Sequence, residues 1–501
     1  MNKVQSLALA FVDLGIKPDD MIMFFDDNSF SYAISYFAAL FAGIPLWQLS
    51  PSNNSFEVKQ RILNVPDKTV VLFYGSSHKN IIKNMHKEFE DSINSRIKLE
   101  IEIDCLNNEF NEKVDNEKIC DLRITRLISK FAGIKLERIP YYPVENIKTQ
   151  AATIVGTSGT TGLPKGAMHS HYSMTNTLNI LSSQLKTFQG DKTLLSFAIG
   201  HISGTMILPT EFILGRTVYL TSNITTEDWA KIVQKEGINQ SLATPNNIYQ
   251  LVTDDYEKYY DLSSLKVVFT GGTTISPGLA DKWVEKFPQC LLLNFYGMTE
   301  YLFPLFPCLP DHANTLEHVG TVCPGTILKI ACLKTGKALG LNQSGEICSK
   351  GPNRFIGYYR NPEETSLVID PDGFYHSGDV GYLDENLCLH VNDRIKEMIK
   401  VFSLSIYPTE IEQFIYLKFP QVSGVCVIGK PFPSGDAHLK AYITLQENTT
   451  LNKHDIDKEM KENFADFKHL KGGIEFIENM PRTIIGKVDR QYFKRLIENN
   501  S

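Results

Sequence analysis

A ten-residue segment rich in glycine and hydroxyl side chains, residues 157–166, could bind a polyphosphate. It follows the apolar, strand-like run 152–155. Glycines let the backbone approach a ligand, hydroxyls and amides donate hydrogen bonds, and a lysine adds positive charge. The segment lacks the Gly-Lys-Ser/Thr ending of a Walker loop, and a flexible surface turn is the alternative. The candidate phosphate-binding residues are Thr157, Ser158, Gly159, Thr160, Thr161, Gly162 and Lys165.

Two further segments with polar and glycine residues each follow a strand-like run of the sequence. Residues 296–300 follow the run 291–295, and a Gly-Gly-Thr turn follows the run 266–270. Ligands bind at the carboxyl ends of strands in open α/β sheets, where an aromatic ring, a glycine, a hydroxyl and a carboxylate together suit a nucleotide. Alone, either segment would be an ordinary loop or turn. The candidate residues are Tyr296, Gly297, Thr299, Glu300, Gly272 and Thr273.

Four charged or titratable residues complete the set of candidates. Asp379 can accept both hydrogen bonds of a ribose diol, and Arg394 can donate to ribose or phosphate. Lys487, near a glycine at the C-terminal end, could stabilise negative charge that develops at a phosphate. The alternatives are a surface salt bridge for the first two, a solvated charge for Lys487, and a buried core residue for His201.

The elements that must position these residues alternate along the chain. Short runs rich in β-branched, leucine or aromatic residues, such as 69–74 and 193–197, are separated by segments with helical spacing, such as 173–185 and 226–236. This alternation predicts parallel sheets covered by helices. Shorter elements after residue 393 predict a small α+β domain. We therefore expect an α/β fold, with a large N-terminal domain of stacked subdomains at 1–395 and a mobile C-terminal domain at 396–501.

Composition excludes several classes of function. The net charge is -7 and no basic stripe is present, so we expect no nucleic-acid partner. The nine cysteines include no CxxC pair that would indicate a zinc or redox site. The apolar window 32–47 is too short to span a membrane and reads as a buried helix. With neither a secretory signal nor a C-terminal Ser-Lys-Leu, the expected location is the cytoplasm.

Taken together, these motifs resemble the adenylate-forming superfamily, which contains acyl-CoA synthetases, 4-coumarate:CoA ligases, beetle luciferases and peptide-synthetase adenylation domains. The resemblance runs from roughly Gly43 to Lys487. It is greatest to the luciferase and coumarate ligase branch, through the segments 335–337, 345–347 and 357–359.

The resemblance implies an ATP-dependent ligase that activates a fatty or aromatic carboxylic acid as an acyl adenylate and transfers it to coenzyme A. ATP, Mg²⁺ and coenzyme A are the implied small-molecule partners. Its implied residue roles are adenine packing for Tyr296, α-phosphate binding for Thr299, Mg²⁺ binding for Glu300, ribose binding for Asp379 with support from Arg394, catalysis for Lys487, and an acid-pocket wall for His201. The glycine pair at 271–272 would lie beside adenine, and Lys396 would be the hinge of the C-terminal domain.

Two departures from the branch bear on these roles. Phe402 and Ser403 stand where the branch has lysine and glycine, which puts efficient thioester formation in question. The first several dozen residues common in the family are also missing. A luciferase-like oxygenase and a pseudoenzyme that only binds ligands remain alternatives. A peptide-synthetase module is disfavoured because no carrier domain follows.

Overall fold

The computed structural model confirms a mixed α/β architecture with a large N-terminal part and a smaller C-terminal part. In the part of the chain that the structure describes, no helix is both long and apolar enough to cross a membrane. The described residues are 2–104, 123–133, 142–157, 165–188, 190–222, 224–272, 277–302, 305–306, 318–401, 404–431, 437–446, 448–482 and 488–498.

Two largely parallel sheets form the centre of the N-terminal part. The first has, in spatial order, the strands Gly357–Tyr358, Gly166–Ser170, Ala151–Gly156, Leu46–Gln48, Met21–Phe25, Val70–Gly75 and Ile97–Ile103. The second is parallel throughout and has the strands Leu291–Phe295, Val267–Gly271, Gln240–Leu242, Lys192–Leu195 and Thr217–Leu220. These strands are mostly buried, as expected of parallel strands covered by helices.

Helices cover these sheets, and polar caps set several of their ends. Thr225 accepts a hydrogen bond from Asp228 N at the start of the helix Thr226–Glu236, and Gly237 ends it with φ +62°. The N-terminal helices are Asn2–Asp13, Phe30–Ala42, Ser55–Leu63, Lys79–Ile93, Ile124–Lys130, His171–Leu185, Ile202–Ile213, Thr226–Glu236, Pro245–Thr253, Pro277–Lys286 and Pro362–Val368. The apolar window 32–47 is buried as predicted, but it leaves the helix at Ala42 and enters the strand Leu46–Gln48.

A third sheet, which the sequence pattern did not predict, is antiparallel. Its strands, in spatial order, are Ile327–Ala331, Gly345–Lys350, Tyr375–Leu383 and Leu389–Arg394. A short antiparallel pair, Leu305–Phe306 with Thr321–Val322, precedes it in sequence. The third sheet carries both Asp379 and Arg394.

The C-terminal part has a core of its own, whose fully buried residues lie between Ile399 and Leu470. The boundary at residues 395/396 falls just before this core and stays a prediction. The elements of this part are the strands Ile399–Val401, Leu404–Ile406, Val422–Pro431, Ala437–Leu445 and Gly473–Phe476 and the helices Pro408–Lys418, Lys453–Asn463 and Arg490–Glu498.

Candidate active site

The two ends of the predicted phosphate loop are held together by backbone contacts. The loop joins the antiparallel strands Ala151–Gly156 and Gly166–Ser170. Thr157 N donates to Lys165 O at 2.8 Å, and Lys165 N donates to Thr157 Oγ1 at 3.3 Å. This pairing fixes where the loop leaves and re-enters the sheet. Five of the predicted loop residues, Ser158, Gly159, Thr160, Thr161 and Gly162, lie outside the described residues.

The Lys165 side chain lies within a network that includes the predicted metal ligand. Its ammonium forms an ion pair with Glu364 and lies 5.1 Å from the centre of the Tyr358 ring. The Tyr358 hydroxyl donates to Glu300 Oε1 at 2.7 Å. Neither Tyr358 nor Glu364 was predicted as a site residue, although both lie within the segment that resembles the family.

Glu300 is a half-buried carboxylate with positive charges nearby. Burial raises the pKa of Glu300, while the Tyr358 hydrogen bond and the charges of Arg394 and Lys165 act in the opposite direction. Phe355 N donates to the carbonyl oxygen of Glu300 at 2.8 Å and so fixes the backbone of this loop. The arrangement suits a hard cation that would compensate the buried negative charge.

Asp379 and Arg394 are neighbours because they are paired across adjacent antiparallel strands. Arg394 Nε lies 3.1 Å from Asp379 Oδ1, and the Tyr296 hydroxyl donates to Asp379 Oδ2 at 2.8 Å. Burial, followed by the charge of Asp379, raises the pKa of Tyr296 well above its usual value, so the hydroxyl keeps its proton. The structure therefore brings together the residues predicted to bind adenine and ribose.

The two glycines predicted beside adenine lie at the same sheet edge as Tyr296. Gly271 is paired with Phe295 in adjacent parallel strands, so Gly272 and Tyr296 each follow a strand end there. Gly272 has φ +82°, a conformation that favours glycine. Gly297 is exposed beside Tyr296. Thr273 lies outside the described residues.

His201 lies on a different segment, at the start of the helix Ile202–Ile213. The side chain is exposed, its Nδ1 accepts a hydrogen bond from Ser203 N at 3.3 Å, and its ring lies 6.0 Å from that of Phe197. Asn28 holds this segment in place, since its side chain accepts from Ile199 N and donates to Phe197 O, both at 2.7 Å. The exposure of His201 does not fit the alternative of a buried core histidine.

His169, for which the sequence motifs indicated no role, contacts one of the predicted site residues. It lies on the strand Gly166–Ser170 directly after the phosphate loop, is fully buried, and its Nε2 lies 2.7 Å from the carbonyl oxygen of Thr299. Burial lowers the pKa of His169 to about 4, so the ring is neutral and Nε2 donates its proton to the carbonyl. His169 thus ties the strand after the phosphate loop to the residue predicted to bind the α-phosphate.

Two hydrogen bonds between the N-terminal and C-terminal parts lie next to Arg394. Asp393 Oδ2 accepts from Thr409 N at 3.1 Å and from Thr409 Oγ1 at 2.8 Å, at the start of the helix Pro408–Lys418. Within the C-terminal part, Lys494 forms an ion pair with Glu397, 3.0 Å away, beside the predicted hinge. Lys487 lies outside the described residues, so its catalytic role stays a prediction.

Comparisons with known proteins identify the family of this chain. Residues 1–359 match the AMP-binding enzyme family, and residues 410–487 match the AMP-binding enzyme C-terminal domain family. A probable 4-coumarate–CoA ligase 1 of Dictyostelium discoideum is 31% identical over 70% of this chain, which spans 65% of that relative. A luciferin 4-monooxygenase of Luciola mingrelica is 25% identical over 98% of this chain and 87% of its own length.

The fold is also similar to that of solved structures. An amide bond synthetase from Marinactinospora thermotolerans superposes with a TM-score of 0.84 over 99% of this chain and 93% of its own, at 22% identity. That identity supports the fold alone. The family matches and the relatives together show that this chain belongs to the AMP-binding enzyme family, in the branch of the adenylate-forming superfamily that contains coumarate ligases and luciferases.

Proposed function

We propose that this protein activates a carboxylic acid with ATP, forms an acyl adenylate and pyrophosphate, and then transfers the acyl group to coenzyme A. The observation that carries the proposal is the Tyr296–Asp379–Arg394 cluster. The cluster is connected to the predicted metal and phosphate residues. The charge of Arg394 also acts on Glu300, and Glu300 accepts a hydrogen bond from Tyr358, whose ring lies beside the Lys165 ammonium. Ribose, phosphate and metal functions would thus share one site.

We infer that Asp379 accepts the ribose diol alongside contacts that hold its carboxylate in place. A carboxylate offers about four lone-pair positions, and Tyr296 and Arg394 each occupy one of them. The Tyr296 hydroxyl fixes one oxygen of Asp379, so the tyrosine ring that would pack on adenine and the carboxylate that would accept the ribose diol hold a set distance. Such preorganisation lowers the entropic cost of binding the nucleotide.

The residues present fit Mg²⁺. Glu300 provides a hard oxygen ligand whose carboxylate is partly desolvated, and a cation would stabilise the charged form that burial disfavours. When bound, Mg²⁺ would neutralise charge on the phosphates. Lys165 would exchange its ion pair with Glu364 for the phosphates, and Thr299 would bind the α-phosphate from a backbone that His169 holds.

Adenylation needs positioning and charge stabilisation rather than a protein nucleophile. The acid carboxylate attacks the α-phosphate and pyrophosphate leaves, while Lys487 stabilises the charge that develops. In the second half-reaction the C-terminal domain turns about Lys396, Lys487 withdraws, and the thiol of coenzyme A attacks the acyl carbon, so that a C–S bond forms, AMP leaves and the thiol proton passes to solvent. The Asp393–Thr409 contacts would have to break or rearrange in that movement.

The acid is proposed to be fatty or aromatic, with His201 on the pocket wall. Ile199, Ile202 and Met206, apolar residues close to His201 in sequence, are buried in the main core. The identity of the acid has to come from a substrate screen.

Luciferase-like oxygenation is a second candidate, favoured by the match to a luciferin 4-monooxygenase along 98% of this chain. Both reactions begin with adenylation, so the adenylation site does not distinguish them. Light emission on adding luciferin, ATP and oxygen would favour the second candidate, whereas acyl-CoA formation would favour the first.

A pyrophosphate-release screen over fatty and aromatic acids, with ATP and Mg²⁺, tests the proposed function. We expect release that depends on the acid and falls at least tenfold in Glu300→Gln, with Glu397→Gln as a control beside the hinge. Glu300→Gln at the wild-type rate would remove Glu300 from the proposed site. Mass spectrometry of the reaction with coenzyme A then shows whether the thioester forms.

A further inference from the structure

A glutamate, a cysteine and a histidine meet on the third sheet, and the mechanism above uses none of them. Glu346 and Cys348 are two residues apart on the strand Gly345–Lys350, where alternate residues share a face. His376 is paired directly with Cys348 across the antiparallel neighbour Tyr375–Leu383. Strand pairing therefore assembles a group that the spacing of cysteines along the sequence did not indicate.

The potential ligand atoms are close enough to share one metal ion. Cys348 Sγ lies 3.5 Å from His376 Nδ1, which lies 2.8 Å from Glu346 Oε2, and all three atoms are within 4.8 Å of one another. Sulfur and nitrogen ligands at zinc-binding bond lengths are about 3.5 Å apart at a tetrahedral ion. Binding an ion at these bond lengths would leave Cys348 Sγ and His376 Nδ1 almost where they are. Glu346 Oε2 would have to move about half an ångström further from His376 Nδ1.

His376 and Glu346 each have a hydrogen-bond partner of the kind that orients metal ligands. The second ring nitrogen of His376 lies 3.4 Å from Asp370 Oδ2, so a carboxylate is available to accept its proton. The second oxygen of Glu346 accepts from Gly378 N at 3.2 Å, where φ +69° turns the backbone amide toward it. Ligating histidines and carboxylates commonly have such partners, which fix their orientation.

Solvent reaches the cluster at the side chains of Glu346 and His376. The Cys348 side chain is fully buried, while those of Glu346 and His376 are 17% and 31% exposed. An ion can therefore approach past the carboxylate and the imidazole and meet the sulfur below them. Binding forms a sulfur–metal bond in place of the S–H bond of Cys348, and the thiol proton is released to solvent.

We propose that Glu346, Cys348 and His376 form a binding site for a divalent transition metal of the zinc class. A thiolate and an imidazole favour zinc or cobalt over Mg²⁺ and Ca²⁺, which take oxygen ligands. With three protein ligands the ion keeps a fourth position for water. The site is distinct from Glu300, and it does not depend on the proposed ligase function.

Its location couples it to the nucleotide site. His376 and Asp379 lie on one strand, separated by Ser377 and Gly378, and the Ser377 hydroxyl accepts from Asp379 N at 3.0 Å. A metal held by His376 and Glu346 would hold the start of the turn through His376 and the Gly378 amide through Glu346. We therefore expect metal binding to stiffen the segment that positions Asp379.

Cobalt spectroscopy of the full chain, reduced and free of nucleotide and Mg²⁺, tests the site. Titration with Co²⁺ should give one tightly bound ion per chain, with a near-ultraviolet thiolate-to-cobalt charge-transfer band and visible bands of four-coordinate cobalt. Zn²⁺ should displace it. Cys348→Ser should lose the charge-transfer band, whereas Cys426→Ser, which removes a buried thiol in the C-terminal part, should keep it.

His376→Gln is a second variant at a partly exposed position, for the case in which Cys348→Ser does not fold. It should retain its circular dichroism spectrum and bind Co²⁺ at least tenfold more weakly, the scale for disturbing a metal site. Absence of the charge-transfer band in the folded wild type would overturn the proposal. So would an unchanged band in Cys348→Ser, or unchanged affinity in His376→Gln.

Discussion

Replacing Asp379 by alanine tests the proposed ribose contact. The carboxylate is 7% exposed, so its hydrogen bonds to a ribose diol would form in a poorly hydrated place. Hydrogen bonds to a charged group contribute about 1.5–3 kcal/mol, which corresponds to a roughly 10- to 150-fold loss of affinity. Because ribose is common to both nucleotides, Asp379→Ala should weaken ATP and AMP by similar factors.

The same change should also cost stability, so affinity and folding must be measured together. It removes the hydrogen bond from the buried Tyr296 hydroxyl to the Asp379 carboxylate, and a hydrogen bond to a charged group contributes about 1.5–3 kcal/mol. Arg394 loses its partner too, but its side chain is 53% exposed and can be hydrated. Thermal unfolding should therefore show a lower midpoint in a variant that is still folded at assay temperature.

Calorimetric titration of ATP and AMP gives the affinities, with Asp384→Ala as the matched control. Asp384 Oδ2 lies within hydrogen-bond distance of His390 Nε2, 3.0 Å away, near the opposite end of the same pair of strands. The control loses this contact and local hydrogen bonds without touching the proposed ribose site. Unchanged nucleotide affinity in folded Asp379→Ala would refute the ribose contact and return Asp379 to a structural salt bridge.

Three further predictions concern other parts of the site. Lys487→Ala should slow adenylation by about 10²-fold or more with little change in ATP affinity, since it acts in the transition state. Phe402 and Ser403 lie outside the described residues, and their double change to lysine and glycine should speed thioester formation and leave adenylation unchanged, because it gives the segment the residues that the branch has there. Between about pH 6.5 and 4, the wild type should lose up to about 3 kcal/mol more stability than His169→Leu.

The sign of the last effect follows from the lowered pKa of His169. Between the two pKa values the unfolded chain binds a proton that the folded protein excludes, so stability falls as the pH falls. Chemical denaturation at several pH values measures it, and parallel pH profiles would contradict the buried neutral histidine. Pyrophosphate release and acyl-CoA formation measure the other two. A wild-type rate of adenylation in Lys487→Ala would refute the catalytic role of Lys487. Acyl-CoA formed as fast as adenylate in the wild type would refute the prediction that thioester formation is slow.

Local patterns predicted the parallel part of the fold well. The helix Thr226–Glu236 and the strand Leu291–Phe295 have the predicted bounds, because a capped amphipathic stretch and a buried apolar run are local signals. The third sheet was not predicted. Its strand Tyr375–Leu383 contains His376, Ser377, Gly378 and Asp379, whose polar and glycine character resembles a loop.

Some contacts of the site could be predicted from the sequence, and those between segments distant in sequence could not. The Asp379–Arg394 pair was predicted through the resemblance, and the structure places the two side chains in contact. The contacts of Lys165 with Glu364 and of His169 with Thr299 join residues 199 and 130 positions apart, and no spacing rule connects them. Such contacts depend on how the sheets are arranged around the site, which local propensity does not encode.

A single-turnover reaction of ATP, Mg²⁺ and a screened acid, without coenzyme A, shows whether this protein forms an acyl adenylate. Hydroxylamine traps an acyl adenylate as a hydroxamate, and the nucleotide products are separated in the same sample. We expect AMP, pyrophosphate and hydroxamate in equal amounts, each dependent on the acid. Formation of ADP and phosphate, or unchanged ATP with every acid in a protein that binds AMP, would contradict it.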